Sequence, residues 1–183
     1  MKVFIAGPRA VSKLNKAVEE RLFNIYNNNF TVLVGDANGV DKTIQNYFNN
    51  LNYKNVIVFA SEGKARNNLG YWKIENVSVS EKLKGFDYYA QKDVEMAKNA
   101  DYGFMIWNGK SKGTLNNIIN LILENKKVLI YFLPENKFVC VDNEEKLTRL
   151  ITLCDDETKL LYSKLLRKSQ IQISLLDASK GSN

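Results

Sequence analysis

Histidine is absent from the 183-residue sequence, and cysteine and proline each occur only twice. Without histidine, the chain lacks the commonest protein metal ligand and the commonest general base, which argues against a zinc site and against Ser-His-Asp catalysis. The two cysteines, Cys140 and Cys154, are too few for a disulfide scaffold and are typical of a reducing compartment. We therefore expect a cytoplasmic protein with no metal site.

Long apolar runs are also missing. The longest, residues 102–107 and 128–133, are far shorter than the roughly 20 residues that a membrane-spanning helix needs. The apolar run at the N-terminus is stopped by Gly7 and Pro8, and it lacks the longer apolar region of a secretory signal. The sequence thus predicts a first β-strand there and no membrane partner.

Short apolar runs alternate with amphipathic helical patterns over most of the chain. Five of these runs predict β-strands, at residues 2–6, 30–34, 55–60, 102–107 and 128–133. Helices between strands are typical of parallel crossovers, so we expect an α/β fold with a Rossmann-like, doubly wound, mainly parallel sheet of about five strands. An edge strand at 137–141 is a further option, and C-terminal helices follow.

The length favours one main domain with an appended segment. We assign residues 1–143 to a nucleotide-binding domain of this Rossmann-like type, and residues 144–183 to a helical extension packed on the domain or on a partner. The net charge of +6 favours an anionic ligand. It could equally serve solubility, because no dense stripe of lysine and arginine appears.

Three turns that contain glycine follow predicted strands, at residues 7–9, 35–42 and 108–114. In a parallel sheet, ligands bind beyond the carboxyl ends of the strands, and glycine lets the backbone approach an anion. Any one turn could be an ordinary tight turn, but three together, with cations beside them, favour a phosphate-bearing ligand. The ligand-binding residues predicted in these turns are Gly7, Pro8, Arg9, Gly35, Asp36, Asn38, Gly39, Lys42, Asn108, Gly109, Lys110, Ser111, Gly113 and Thr114.

The segment 61–85 shows no clear period, and such long connections are usually functional. We predict a lid in which Arg66, Asn67 and Trp72 contact the ligand, because cations, amides and aromatic rings suit phosphates and bases. Anchoring of Trp72 in the core is an equally good interpretation. The asparagine-rich turns are attributed to composition alone.

Three carboxylates fall close to the predicted turns. Asp36, Asp41 and Asp93 could hold sugar hydroxyls, or act as nucleophile or base at an anomeric carbon. Asp36 and Asp41 could instead favour the start of a helix, where negative charge is stabilised. If a reaction is catalysed, Asp93 and Asp41 are the predicted catalytic residues.

The turns, their order and the segment 91–101 resemble the motif series of the SLOG superfamily over residues 1–133. That superfamily includes phosphoribohydrolases, DprA-type DNA-processing proteins and YpsA-type proteins. In the phosphoribohydrolases a catalytic glutamate follows the Gly-Thr pair, whereas residues 115–117 here are Leu-Asn-Asn. The start of the chain also resembles nucleoside deoxyribosyltransferases, and that weaker resemblance implies an active-site role for Asp93.

The leading functional prediction is binding of a nucleotide or nucleotide-derived phosphate ligand, with no certain cofactor beyond it. The first alternative is an N-glycosidic hydrolase or transferase acting on a nucleoside or nucleotide. The second is single-stranded DNA binding of the DprA type, which the modest charge does not favour. A homo-oligomer through the apolar faces of the C-terminal helices remains open.

Overall fold

The computed structural model describes residues 1–180, with side chains described as far as Ile171, so the last three residues of the predicted extension lie outside it. Within that range one sheet contains β1 (Lys2–Ala6), β2 (Thr31–Gly35), β3 (Val56–Ser61), β4 (Lys73–Val77), β5 (Tyr102–Trp107), β6 (Val128–Phe132) and β7 (Lys137–Val141). The α-helices are α1 (Lys16–Asn27), α2 (Val40–Asn50), α3 (Phe86–Asn99), α4 (Lys112–Leu123), α5 (Glu144–Ile151) and α6 (Asp156–Lys180). No helix in the described residues is long and apolar enough to span a membrane.

The strand order is β4-β3-β2-β1-β5-β6-β7, and every neighbouring pair is parallel except β6 and β7. The predicted α/β, Rossmann-like and mainly parallel sheet is confirmed, with seven strands instead of about five. One extra strand, β7, is the predicted edge strand. The other, β4, lies inside the predicted lid: it has only β3 as a neighbour, and its residues are partly exposed, so it lacks a continuous apolar run.

The sheet is covered on both faces, and β1 shows how the sequence divides between them. Val3 and Ile5 are buried with the apolar sides of α1 and α2. Phe4 and Ala6, which alternate with them, are buried with α3 and α4. Apolar residues of α5 and α6 belong to this second cluster, which places the first part of the C-terminal extension against the same core.

The direction in which successive strands are added to the sheet reverses once, at β1. From β1 the chain moves outward through β2 and β3 to β4, and it then crosses to the other side of β1 to form β5. The loops after β1 and β5 therefore leave in different directions and open a crevice between them. Such switch points are where sheets of this architecture bind ligands.

Candidate functional site

A cleft of about 460 Å³ lies at the switch point, on the carboxyl edge of the sheet. Its walls come from the loops after β1, β2, β3 and β5, and from the first half of α3. Residues from all three predicted turns contribute to it. The predicted site residues that line it are Gly7, Arg9, Asp41, Arg66, Asp93, Ser111, Gly113 and Thr114.

Close backbone packing joins the first two turns. Gly39 has a φ of 78°, and a Cβ atom there would lie 2.3 Å from the carbonyl oxygen of Arg9. The carbonyl of Pro8 accepts a hydrogen bond from the Val40 N–H at 3.2 Å. A Cβ on Gly7 would lie 2.7 Å from Val40 Cγ2. Glycine is needed at position 39 because a side chain would meet the backbone of Arg9, and at position 7 because it would meet the Val40 side chain and the Ile106 carbonyl.

The third turn presents the start of α4 to the cleft. Asn108 Oδ1 accepts a hydrogen bond from the Ser111 N–H at 2.8 Å, and Ser111 Oγ caps the helix by accepting from the Thr114 N–H at 3.4 Å. A Cβ on Gly113 would have no atom within 4 Å. The helix N-terminus thus opens onto free space, where its first N–H groups and its dipole favour an anion.

Two charged side chains form the floor of the cleft. Lys92 is 4% exposed and Asp41 is 7% exposed, and both line the cavity. Lys92 Nζ lies 2.7 Å from Asp93 Oδ1, while Asp41 Oδ2 accepts a hydrogen bond from the Ala37 N–H at 3.3 Å. A Cβ on Gly35 would lie 2.4 Å from Asp41 Oδ2 and 2.9 Å from Lys92 Nζ. Glycine at position 35 therefore leaves the space that this charged pair occupies.

Burial sets the protonation of the floor. It raises the pKa of Asp41 to about 7, against the opposing charge of Lys92 and with a further contribution from Asp93. Burial alone would lower the pKa of Lys92, but the charges of Asp93 and Asp41 outweigh it and raise that pKa above its usual value. The floor thus combines a fixed cation with a carboxyl group that changes its protonation near neutrality.

Arg66 fixes the loop after β3 onto the loop after β2. Its Nε and Nη2 donate to the two carboxylate oxygens of Asp36 at 2.9 and 2.7 Å, and its backbone N–H donates to the same carboxylate at 3.1 Å. Burial raises the pKa of Asp36, but the hydrogen bonds and charge of Arg66 outweigh it and lower that pKa. Asn67 adds hydrogen bonds to the Asp36 carbonyl at 2.8 Å and to Asn38 Oδ1 at 3.2 Å. Of these residues only Arg66 lines the cleft, and the bonds to Asp36 hold it in place.

Cations and aromatic rings surround the mouth. The guanidinium carbons of Arg9 and Arg66 lie 5.6 and 4.9 Å from the centroid of the Tyr89 ring, which is 40% exposed. Lys112 Nζ lies 4.0 Å from the centroid of Phe86. Cation–π contacts of this kind keep the positive groups near the opening. Among the described residues, no three His, Cys, Asp or Glu side chains are grouped to hold a metal ion.

The predicted site residues that do not line the cleft number eleven: Pro8, Gly35, Asp36, Asn38, Gly39, Lys42, Asn67, Trp72, Asn108, Gly109 and Lys110. Trp72 is 7% exposed, and its indole N–H donates to the Tyr53 carbonyl at 2.7 Å, so the ring anchors the loop to the core. Lys42 is exposed on α2. Gly109 and Lys110 belong to the third turn but contact Thr158 of α6 and Asp155, the residue before that helix.

Three polar side chains of the cleft are not among the predicted site residues: Lys92, Tyr89 and Asn117. With its amide oriented to satisfy its neighbours, Asn117 donates to Asp93 Oδ2 and to the Gly113 carbonyl, both at 3.2 Å. The sequence does indicate that Lys92 is buried, since it lies four residues before Met96 on the buried side of a predicted helix. Asn117 offers no such signal, because its role depends on α3 lying beside α4.

The fold and the cleft define an α/β protein with a ligand-sized crevice at its switch point. No protein-family model and no curated protein matches the sequence. Among solved structures, the chain is similar to DNA processing protein A from Helicobacter pylori, a protein studied for its single-stranded DNA binding mode. The TM-score is 0.56 and the identity 12%, and the match covers 92% of this chain and 81% of that one. A likeness at this identity shows a shared fold alone.

Proposed function

We propose that this protein binds a nucleotide or nucleotide-derived phosphate ligand in the switch-point cleft, as a SLOG-type domain. One observation carries the proposal: a single cavity is lined both by the open N-terminus of α4 at Gly113 and by the buried charges of Asp41 and Lys92. The first feature suits a phosphate, and the second suits the hydroxyl groups of a sugar.

The phosphate end is supported by charge and by space. Helix N-termini attract anions, and the free volume at Gly113 lets an anion reach the backbone there. Arg9 lines the same cavity, and Lys112 stands beside Phe86 at its edge. These side chains add positive charge that is not fully neutralised by carboxylates at the mouth, so a phosphate would gain from both sources.

The sugar end is supported by the mixed polarity of the floor. A ribose hydroxyl both donates and accepts hydrogen bonds. Asp41 and Asp93 offer acceptors, and Lys92 offers donors, on side chains that are largely buried. Buried polar groups need such partners, because an unpaired one is costly.

Calorimetric titration with AMP, ADP, NAD and adenosine tests the proposal. We expect saturable binding of at least one phosphate-bearing ligand, with adenosine weaker. Gly113→Val fills the free volume and should weaken phosphate-ligand binding at least about tenfold without loss of cooperative unfolding. Lys42→Ala is the matched control, since Lys42 is a predicted ligand residue outside the cleft, and it should bind normally. Equal affinity of wild type and Gly113→Val would place the ligand elsewhere.

Cleavage or transfer at an N-glycosidic bond is the second candidate. Its support is Asp93, which lines the cleft and has one carboxylate oxygen 2.7 Å from Lys92 Nζ and the other 3.2 Å from the Asn117 amide. A carboxylate oriented in this way can act at an anomeric carbon. Chromatography of nucleotide mixtures should then reveal free base with wild type and none with Asp93→Asn. Binding without any release of base would exclude this reaction and leave ligand binding as the function.

Single-stranded DNA binding is the third candidate, supported by the structural similarity to DNA processing protein A. A strand crossing the mouth would meet Arg9, Lys112 and the exposed Tyr89 ring, a combination suited to phosphates and bases. Gel shifts with a labelled oligonucleotide should then weaken steeply with salt and be relieved by excess mononucleotide. An oligonucleotide that fails to shift at low salt would exclude this mode.

A further inference from the structure

The C-terminal extension contacts the turn that precedes α4 through one buried hydroxyl. Thr158, in the first turn of α6, is 2% exposed, and its Oγ1 donates to the Gly109 carbonyl at 2.8 Å. Gly109 has a φ of 74° and lies in the turn that leads to Ser111, the N-cap of α4. A residue from the extension therefore bonds to the backbone just before the helix end that faces the cleft.

A second contact holds the same turn. Asp155 accepts the Thr158 N–H at 2.9 Å and thereby caps α6, and its other carboxylate oxygen lies 3.2 Å from Lys110 Nζ. The hydrogen bond from the Thr158 N–H, together with Lys110, lowers the pKa of Asp155 to about 2, so this carboxylate stays ionised over the physiological range. Two consecutive residues of the turn, Gly109 and Lys110, are thus held by the start of α6.

The apolar contacts of α6 are made by other residues on the same side. Tyr162 and Leu165 follow Thr158 at helical spacing and are buried in the core. Leu161 and Leu166, which are partly buried, pack against the same core. The Thr158 hydroxyl instead makes a directional hydrogen bond to the Gly109 carbonyl, which fixes the orientation of the turn.

We propose that Thr158 is a positioning residue for the anion-binding end of α4. Its hydrogen bond holds the turn at Gly109 so that the start of α4, at Lys112 and Gly113, faces the cleft. This inference rests on the proposed binding function, because the positioning matters to a ligand only if a phosphate binds at that helix end.

The test compares Thr158→Val, which keeps the shape of the side chain but removes the hydroxyl, with Thr158→Ser, which keeps the hydroxyl. Thr148→Val is the matched control, since Thr148 makes its hydroxyl contact with Tyr162 at 3.0 Å, away from the turn. In the ligand-free full chain, we expect faster hydrogen exchange of amides 111–114 in Thr158→Val, but wild-type rates in Thr158→Ser and Thr148→Val. Asp155→Asn should accelerate the same amides to a smaller extent, and it serves as the test variant if Thr158→Val fails to fold.

Binding supplies the second readout. Thr158→Val should weaken AMP binding about tenfold, leave adenosine binding unchanged, and recover in Thr158→Ser. Unchanged exchange at 111–114, or equal weakening for AMP and adenosine, would overturn the positioning role. If wild type binds no phosphate ligand at all, the proposed function fails, while the exchange rates still decide whether Thr158 positions the turn.

Discussion

The two edges of the sheet differ in how the backbone groups at the helix ends are satisfied. At the amino edge, three helices end with an asparagine in the left-handed conformation before the chain enters a strand: Asn29, Asn52 and Asn125. In each case the N–H of the asparagine and that of the next residue donate to carbonyls of the last helical turn. The amino edge is therefore closed by its own backbone, and the asparagines attributed to composition have a structural role.

The carboxyl edge is not closed in this way. Gly39 has a backbone conformation, φ 78° and ψ −131°, that only glycine adopts readily, and Gly113 borders empty space. Asp41 and Lys92 lie buried beneath it. Backbone hydrogen bonds thus close one edge of the sheet. The other edge has glycines and buried charges, and a ligand there would complete the contacts.

The largest effect is expected at Gly39. Gly39→Val forces a β-branched residue into an unfavourable conformation and places its Cβ against the Arg9 carbonyl, so it should lower the free energy of unfolding by about 4 kcal/mol. Urea denaturation measures this loss. A decrease below about 1 kcal/mol would show that the two loops do not pack as described.

A smaller effect is expected from Asp41. Its pKa of about 7 in the folded state exceeds the unfolded value, so the native protein holds a proton that the unfolded chain releases. Stability from this group is complete below about pH 4 and is lost as the pH rises to 7, by roughly 1 kcal/mol per pH unit between pH 5 and 7.

Asp41→Asn removes this titrating group. Urea denaturation at several pH values should therefore give a flatter stability profile for the variant between pH 5 and 7. Identical slopes for the two proteins would mean that Asp41 is ionised throughout, with Lys92 as its full counter-charge.

The smallest effect is expected at the amino edge. Asn52 is exposed with a φ of 51°, so Asn52→Ala should cost about 1 kcal/mol of stability, and Asn52→Gly should be close to neutral. Thermal unfolding of the two variants checks this order. Neither should alter nucleotide binding, and a binding defect in Asn52→Gly would remove the distinction between the edges.

The central part of the fold could be predicted from the sequence because its strands are buried on both faces and appear as continuous apolar runs. β4 could not, since an edge strand that is half exposed carries no such run. The three glycine turns could be predicted because each is defined by residues that are adjacent in the sequence. The spacing of Lys92 from Met96 indicates its burial, but its charge partner Asp41 lies on a different helix and could not be predicted. The orientation of Lys110 likewise depends on Asp155, far along the chain.

A titration of isotope-labelled protein with AMP, followed by amide NMR shifts, tests ligand binding at the carboxyl edge most directly. We expect saturable shifts in residues 7–9, 36–41 and 111–114, and none in the turns at Asn29, Asn52 and Asn125. Shifts confined to the amino edge, or no shifts at the carboxyl edge at millimolar AMP, would contradict the proposed site.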